Sequence, residues 1–184
     1  NKRIETIQDL KGVKIRISGL NAKALQLFGA VPTMVTAPEG YTALDRGTID
    51  SFGFPYTYGF GAFKLYEVSK YVTEGFNMSG FMCFQGVNIN AWNAAPESVK
   101  QALPRAQDEA IEEMIKAYHI ADNHWIPIFQ KHLEIVKISP RERAKLQEGS
   151  AKIWNEWADQ QTDRGHPGHE ILEFVKATVA KHIN

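Results

Sequence analysis

The sequence predicts an α/β fold with a mixed or mostly parallel sheet up to about residue 90, followed by a half that is almost wholly helical. Three observations carry this. Two short β-prone runs, KIRIS (14–18) and TMVTA (33–37), flank NAKALQLFGA (21–30), a stretch of helix formers closed by a glycine, so the chain opens with a βαβ rhythm. TIDSFGF (48–54) returns to strand composition after another helical stretch. From Pro96 onward the apolar residues Ile111, Met114, Ile115, Tyr118, Trp125, Ile128 and Phe129 recur at three- and four-residue steps, the period of one helical stripe.

Each element has a local reason. PEGYTALDRG (38–47) starts with Pro and Glu and ends with Gly, the polarity of a short helix. AFKLYEVSKY (62–71) reads as a further helix, followed by the strand-like YVTEG and the longer apolar run GFMCFQGVNIN (80–90). The helix after Pro96, some 30 residues and roughly 45 Å at 1.5 Å per residue, is longer than one small lobe needs and is expected to tie two bodies together, with Pro127 kinking or shortening it. EIVKIS (134–139) is a lone strand candidate. Ser139-Pro140 before RERAKLQ supplies a cap and a first-turn proline, and HEILEFVKATVAKHI (169–183) makes a last amphipathic helix. The division follows: 1–12 as an incoming linker or helix, 13–90 as an α/β ligand-binding lobe, and 91–184 as the long helix and the helices after it.

Composition narrows the function. Lys plus Arg and Asp plus Glu are both 21, so no overall field recruits nucleic acid, and no partner of that kind is expected. No run of 18 apolar residues exists to span a bilayer. The single cysteine, Cys83, excludes an intrachain disulfide and a multi-cysteine metal site, and its apolar neighbours suggest a buried, inert thiol. The chain opens on NKRIETIQDLKG, which reads as the middle of something, and the sequence alone leaves open whether a leader was removed with whatever preceded Asn1.

Arg16 is the first candidate for chemistry. A guanidinium at the end of a strand, followed by Ser18-Gly19, faces the carboxyl edge of a sheet, where α/β proteins bind ligands. Buried without a partner it would cost several kcal/mol, so an anion should meet it. Asp50 on a neighbouring strand and a ligand carboxylate are the two candidate partners, with exposure at the strand end as a third outcome that needs none, and residue types alone leave them open.

The second feature is SFGFPYTYGFGAF (51–63), a stretch crowded with aromatics, glycines and a proline, expected as a turning loop whose rings partly line a cleft. Its GFGAF is not a phosphate-binding fingerprint. His166 and His169 mark a solvated helix entry, and the spacing of His119, His124 and His132 puts no matched metal pair on one helical face. With no nucleophile elbow and no Cys-His signature the chain reads as a non-enzyme without cofactor or metal.

Five stretches in register, DLKGVKIRISG, YTALDRGTIDSF, FKLYEVSKYVT, VNINAWNAAPESVKQAL and ISPRERAKLQEGSAKIWNEWADQ, resemble the later part of substrate-binding proteins of tripartite ATP-independent periplasmic (TRAP) transporters. The resemblance covers roughly residues 7 to 160. It implies a type II periplasmic-binding-protein fold, present here as the second lobe and C-terminal helices with the N-terminal lobe missing. It also implies a periplasmic receptor that closes on a small organic acid and delivers it to a membrane permease. In that family an arginine of the KIR strand pairs with the ligand carboxylate, and Arg16 stands there, which favours the ligand over Asp50 as its partner. Where many members carry polar groups before a proline, Phe52, Gly53 and Phe54 stand instead. The departure points away from C4-dicarboxylate and sialic-acid recognition and towards a monocarboxylate or sulfonate with an apolar or aromatic body. The implied site is Arg16, Phe52, Phe54, Tyr56, Asn77 and Phe81, with Phe54, Tyr56 and Phe81 as stacking surfaces. The alternative is a ligand-sensing or helix-mediated interaction module on the same scaffold.

Overall fold

The computed structural model describes residues 1–78 and 86–182. A 3₁₀ turn at Ile7–Leu10 leads into β1 (Lys14–Arg16), α1 (Gly19–Leu27) and β2 (Val31–Pro32). Then come α2 (Gly40–Asp45), β3 (Ser51–Phe52), α3 (Tyr56–Ala62) and β4 (Tyr71–Glu74). The second half holds α4 (Ile89–Ala94), α5 (Glu97–His132), β5 (Glu134–Lys137), α6 (Pro140–Asp163) and α7 (Gly168–His182).

Both sheets among the described residues are parallel. One has the order β2-β1-β3, with Ile15 opposite Pro32 and Ser51, and Arg16 opposite Phe52. The other pairs β4 with β5, Glu74 opposite Lys137, and so ties the strand-rich half to the helical half. Parallel strands need crossovers, and α1 and α2 supply them around β1.

Four expectations change. The strand expected at 33–37 lies earlier: Val31 N donates to Val13 O at 2.8 Å and Thr33 N to Ile15 O at 2.9 Å, after which the chain leaves the sheet and Met34 stands almost fully exposed. The helix expected at 62–71 is displaced upstream to α3, inside the aromatic stretch read as a loop, because Lys64 adopts a left-handed φ of 53° and ends it, leaving only a 3₁₀ turn at Leu65–Glu67. The apolar run at 80–90, whose residues 80–85 lie outside the described residues, ends in a helix start: the Asn88 side-chain oxygen accepts from Asn90 N at 2.9 Å and caps α4. Helix α5 runs through Pro104 and Pro127 for 36 residues, about 54 Å at 1.5 Å per residue. Proline 127 removes one helical hydrogen bond, yet Trp125 and Phe129 on either side are packed against α3 and Tyr66, and this packing outweighs the loss.

Three apolar clusters hold the molecule. Ile7, Leu10, Val13, Ile15, Leu25 and Leu146 join the turn, β1, α1 and α6. Ala43, Leu44, Ile49, Phe52 and Leu65 lie under α2 and β3. Val72, Phe129 and Leu133 seat the end of α5 on β4, with Tyr56, Phe60 and Tyr66 around Phe129. By contrast the stripe of α5 that carries Ile111, Met114, Ile115 and Tyr118 is exposed.

A carboxylate locks α6 to the first cluster. Glu142, buried, accepts from Ile7 N at 3.0 Å and from Lys145 Nζ, while Ser139 Oγ caps the helix by accepting from Glu142 N at 3.2 Å. The lysine bond first, and then the Ile7 amide, hold its carboxyl below the ordinary glutamate range. A lowered native value means stability that is full above the ordinary range and lost as pH falls through the lowered one. The melting temperature is therefore expected to drop on acidification below about pH 4.5, and the part due to this residue should vanish in Glu142→Gln. Phe129→Ala, which empties the centre of the third cluster, is expected to cost about 3–5 kcal/mol in urea denaturation.

Candidate functional site

The carboxyl ends of three strands, two from one parallel sheet and one from the other, open on one cleft of about 820 Å³. Arg16 is the last residue of β1, Phe52 of β3 and Glu74 of β4, and all three line it. This is where open parallel sheets place ligands, since the chain turns away from the strand ends and leaves a crevice there.

Strand alternation aims Arg16. Ile15 points into the core and Arg16 to the other face, half-buried, beside its register partner Phe52. Its guanidinium carbon lies 4.9 Å from the Phe52 ring centre and 5.1 Å from that of Phe54, two cation–π contacts. Arg16 Nε donates to Val35 O at 3.1 Å, and Nη1 makes a longer contact of 3.4 Å to Gly53 O. No carboxylate of the described residues lies within ion-pair distance of it. Asp50 is otherwise engaged: its carboxylate accepts from Lys14 N at 2.9 Å, bracing the start of β1. The guanidinium is thus held flat and in place by rings and carbonyls, with outer N–H groups of Nη1 and Nη2 left over among the described residues.

The rings are seated on glycines. A Cβ on Gly40 would stand 2.2 Å from the Phe52 ring, one on Gly59 2.1 Å from Phe54 and one on Gly61 2.4 Å from Trp125. Gly59 and Gly61 of the aromatic stretch therefore serve close packing within a helix and not the turns of a loop. Phe54 meets Phe52 and Phe63 edge-on at 5.7 and 5.5 Å and stacks on Tyr58 at 6.5 Å.

Tyr56 faces both ways. Its ring packs on Phe60 and Phe129, while its hydroxyl donates to Glu74 Oε1 at 2.8 Å. Burial first, and then the bond to Glu74 and that carboxylate's charge, push the phenol well above the ordinary tyrosine range, so it stays a donor. Asn77, with a left-handed φ of 41°, lies exposed in the segment after β4 and also lines the cleft.

Of the residues expected from sequence, Arg16, Phe52, Phe54, Tyr56 and Asn77 come together around this cleft, and Phe81 lies outside the described residues, as does Cys83. Phe52 is largely buried and acts as the bed of the guanidinium. Glu74 was not anticipated, although part of the signal that marked Arg16, a charged residue at the end of a strand, is repeated in YVTEG. Among the described residues no group of acidic, histidine or cysteine side chains is arranged to hold a metal ion, and no helix is long and apolar enough to cross a membrane.

The profile of bacterial extracellular solute-binding proteins, family 7, matches residues 1–161. The chain belongs to that family. Among curated relatives, the monocarboxylate 2-oxoacid-binding periplasmic protein of a Nostoc species is 32% identical over 118 residues, 64% of this chain and 32% of that one. In three dimensions, a TRAP solute-binding protein of Rhodoferax ferrireducens in complex with benzoate superposes with a TM-score of 0.78 at 23% identity, covering 99% of this chain and 58% of that one. The periplasmic ectoine-binding protein of the Halomonas elongata TRAP transporter superposes with a TM-score of 0.81 at 21% identity, covering 98% and 58%. The fold is that of the TRAP solute-binding proteins, and the chain spans about a third of the Nostoc relative's length.

The seat of Phe54 can be tested directly. Gly59→Ala drives a methyl into the ring and is expected to cost about 1–3 kcal/mol in urea denaturation. In a Phe54→Ala background the ring is gone, and the same change should become neutral or slightly stabilising, because alanine favours the helix. Equal costs in both backgrounds would show that the ring does not rest on Gly59.

Proposed function

We propose that this chain is the ligand-holding part of an extracytoplasmic, periplasmic solute receptor, which binds a small monocarboxylate or sulfonate with an apolar or aromatic body and hands it to a TRAP membrane permease. The observation that carries this is the state of Arg16: fixed by two carbonyls and two rings, lining a cleft of about 820 Å³, and unmatched by any carboxylate among the described residues. Its outer N–H groups suit the two oxygens of a carboxylate, and such charge-assisted bonds contribute roughly 1.5–3 kcal/mol each.

The wall supports an apolar body. Phe54, Tyr56 and Phe60 present aromatic surface to the cleft, and Phe52 to Phe54 offer no polar side chain for a second carboxylate. The Nostoc relative is named for monocarboxylate 2-oxoacids, and the Rhodoferax structure holds benzoate, both acids with one carboxylate. The periplasmic location rests on relatives named as periplasmic binding proteins and delivery to a permease on the family, whose members work with one.

In this reading the lobe at 13–90 carries the anchor, and the long helix within 91–184 ties it to a second lobe. The exposed apolar stripe of α5 and the 58% coverage of the Rhodoferax protein both support that division. Binding then shifts an open-to-closed equilibrium, because only the closed form contacts the ligand from both sides.

Arg16→Ala is expected to weaken binding of a cognate monocarboxylate at least a hundredfold by calorimetry, with the melting temperature of the free protein little changed. A thermal-shift screen of organic acids should rank monocarboxylates with an apolar body above succinate and malate. Unchanged affinity in Arg16→Ala, or a preference for the small dicarboxylates, would overturn the reading.

A further inference from the structure

We infer that Glu74 is a second anchor in the same cleft, selecting acids that also carry a cationic nitrogen, an ammonium or an amidinium, so that the preferred ligand is a zwitterion with an apolar body. The assignment rests on the reading of Arg16 as the acid anchor.

The two charges occupy matching places. Arg16 ends β1 of one sheet and Glu74 ends β4 of the other, and both ends open on the cleft. They form no ion pair with each other, and no cation of the described residues pairs with Glu74; Lys137, opposite it on β5, and Lys2, which also lines the cleft, are both exposed. Tyr56 fixes Glu74 by donating to Oε1 at 2.8 Å, and Oε2 has no hydrogen-bond donor among the described residues. Among the described residues the cleft thus holds one side-chain cation and one anion fixed in place, each with unused hydrogen-bonding capacity.

Charge balance then discriminates between ligands. When the cleft closes and sheds water, a simple monocarboxylate neutralises Arg16 and leaves Glu74 desolvated without a counter-charge, which is unfavourable. A hydroxyl at the right place satisfies the free oxygen but not the charge. A cationic nitrogen supplies both a donor and the opposite charge, so the closed site is neutral with every charge paired. Dicarboxylates are the worst case, since the second acid group meets Glu74.

Calorimetry on the full chain with two matched series tests this: phenylacetate, mandelate and phenylglycine, and benzoate, 3-hydroxybenzoate and 3-(aminomethyl)benzoate. The expected result is that, in at least one series, the aminated acid binds at least tenfold tighter than its parent, with the hydroxylated acid between them. Glu74→Gln, which keeps the bond from Tyr56, should erase that preference while leaving the parent acid bound as well or better, and a melting curve checks its fold. Acids that bind through Arg16 with no gain from nitrogen, or a gain that survives Glu74→Gln, would overturn the role of Glu74 alone. Binding of a nitrogen-free acid that is lost on chelation with EDTA would place an ion at Glu74 and also overturn it. Affinity of every acid left unchanged by Arg16→Ala would overturn the anchor reading itself, and this assignment with it.

Discussion

Everything about the cleft depends on a guanidinium that the fold holds without neutralising. Arg16 is fixed through Val35 O, Gly53 O and the faces of Phe52 and Phe54, groups that attract a cation yet leave its charge in place. A carboxylate partner would have been a stronger brace. It would also have spent the donor groups that a ligand needs, since a matched internal pair competes with any incoming acid. Carbonyls and rings orient the fork at modest energetic gain, about 0.5–2 kcal/mol for each ring contact depending on desolvation. Asp50, near enough in sequence terms to have been that partner, is instead committed to the Lys14 amide.

Holding the rings in turn shapes the backbone around them. Phe52 lies where Gly40 of α2 lets it approach, and Phe54 lies on Gly59 of α3, so both helices are shaped by the need to pass close to an aromatic face. Glycine lowers helix propensity, and α3 carries two glycines in seven residues, so it exists through packing and not through local preference. The same contacts that make α3 a helix also place Tyr56 where its hydroxyl reaches Glu74.

This explains which features were legible in the sequence. The βαβ rhythm, the strand end at Arg16, the Ser139-Pro140 helix start and the period of α5 are local signals, and each corresponds to an element of the structure. The aromatic stretch misled because its glycines look like turn residues until their neighbours are known: Phe54 is local to Gly59, but Trp125 is remote from Gly61 in sequence. Helix α5 continues through Pro127 because Trp125 and Phe129 are anchored by tertiary contacts that no window around the proline reveals. The family resemblance brought Arg16, Phe54 and Tyr56 together on paper, whereas Glu74 needed the parallel pairing of β4 with a strand some sixty residues later to be seen at the cleft.

Helix α3 also connects the cleft to the long helix. On one side it carries Tyr56 into the site; on the other, buried Thr57 donates to Asp122 of α5 at 2.6 Å and Gly61 receives the Trp125 ring. Because Tyr56 and Thr57 are adjacent in a helix whose backbone bonds are closed, neither can be displaced without moving the other. The cleft wall and α5 are therefore joined through a short hydrogen bond and a close ring contact. Packed helices respond to displacement by small sliding of whole elements, since their interiors resist continuous deformation. The geometry thus joins α5 to the cleft wall at the end where it is packed, while its exposed stripe lies further towards its start.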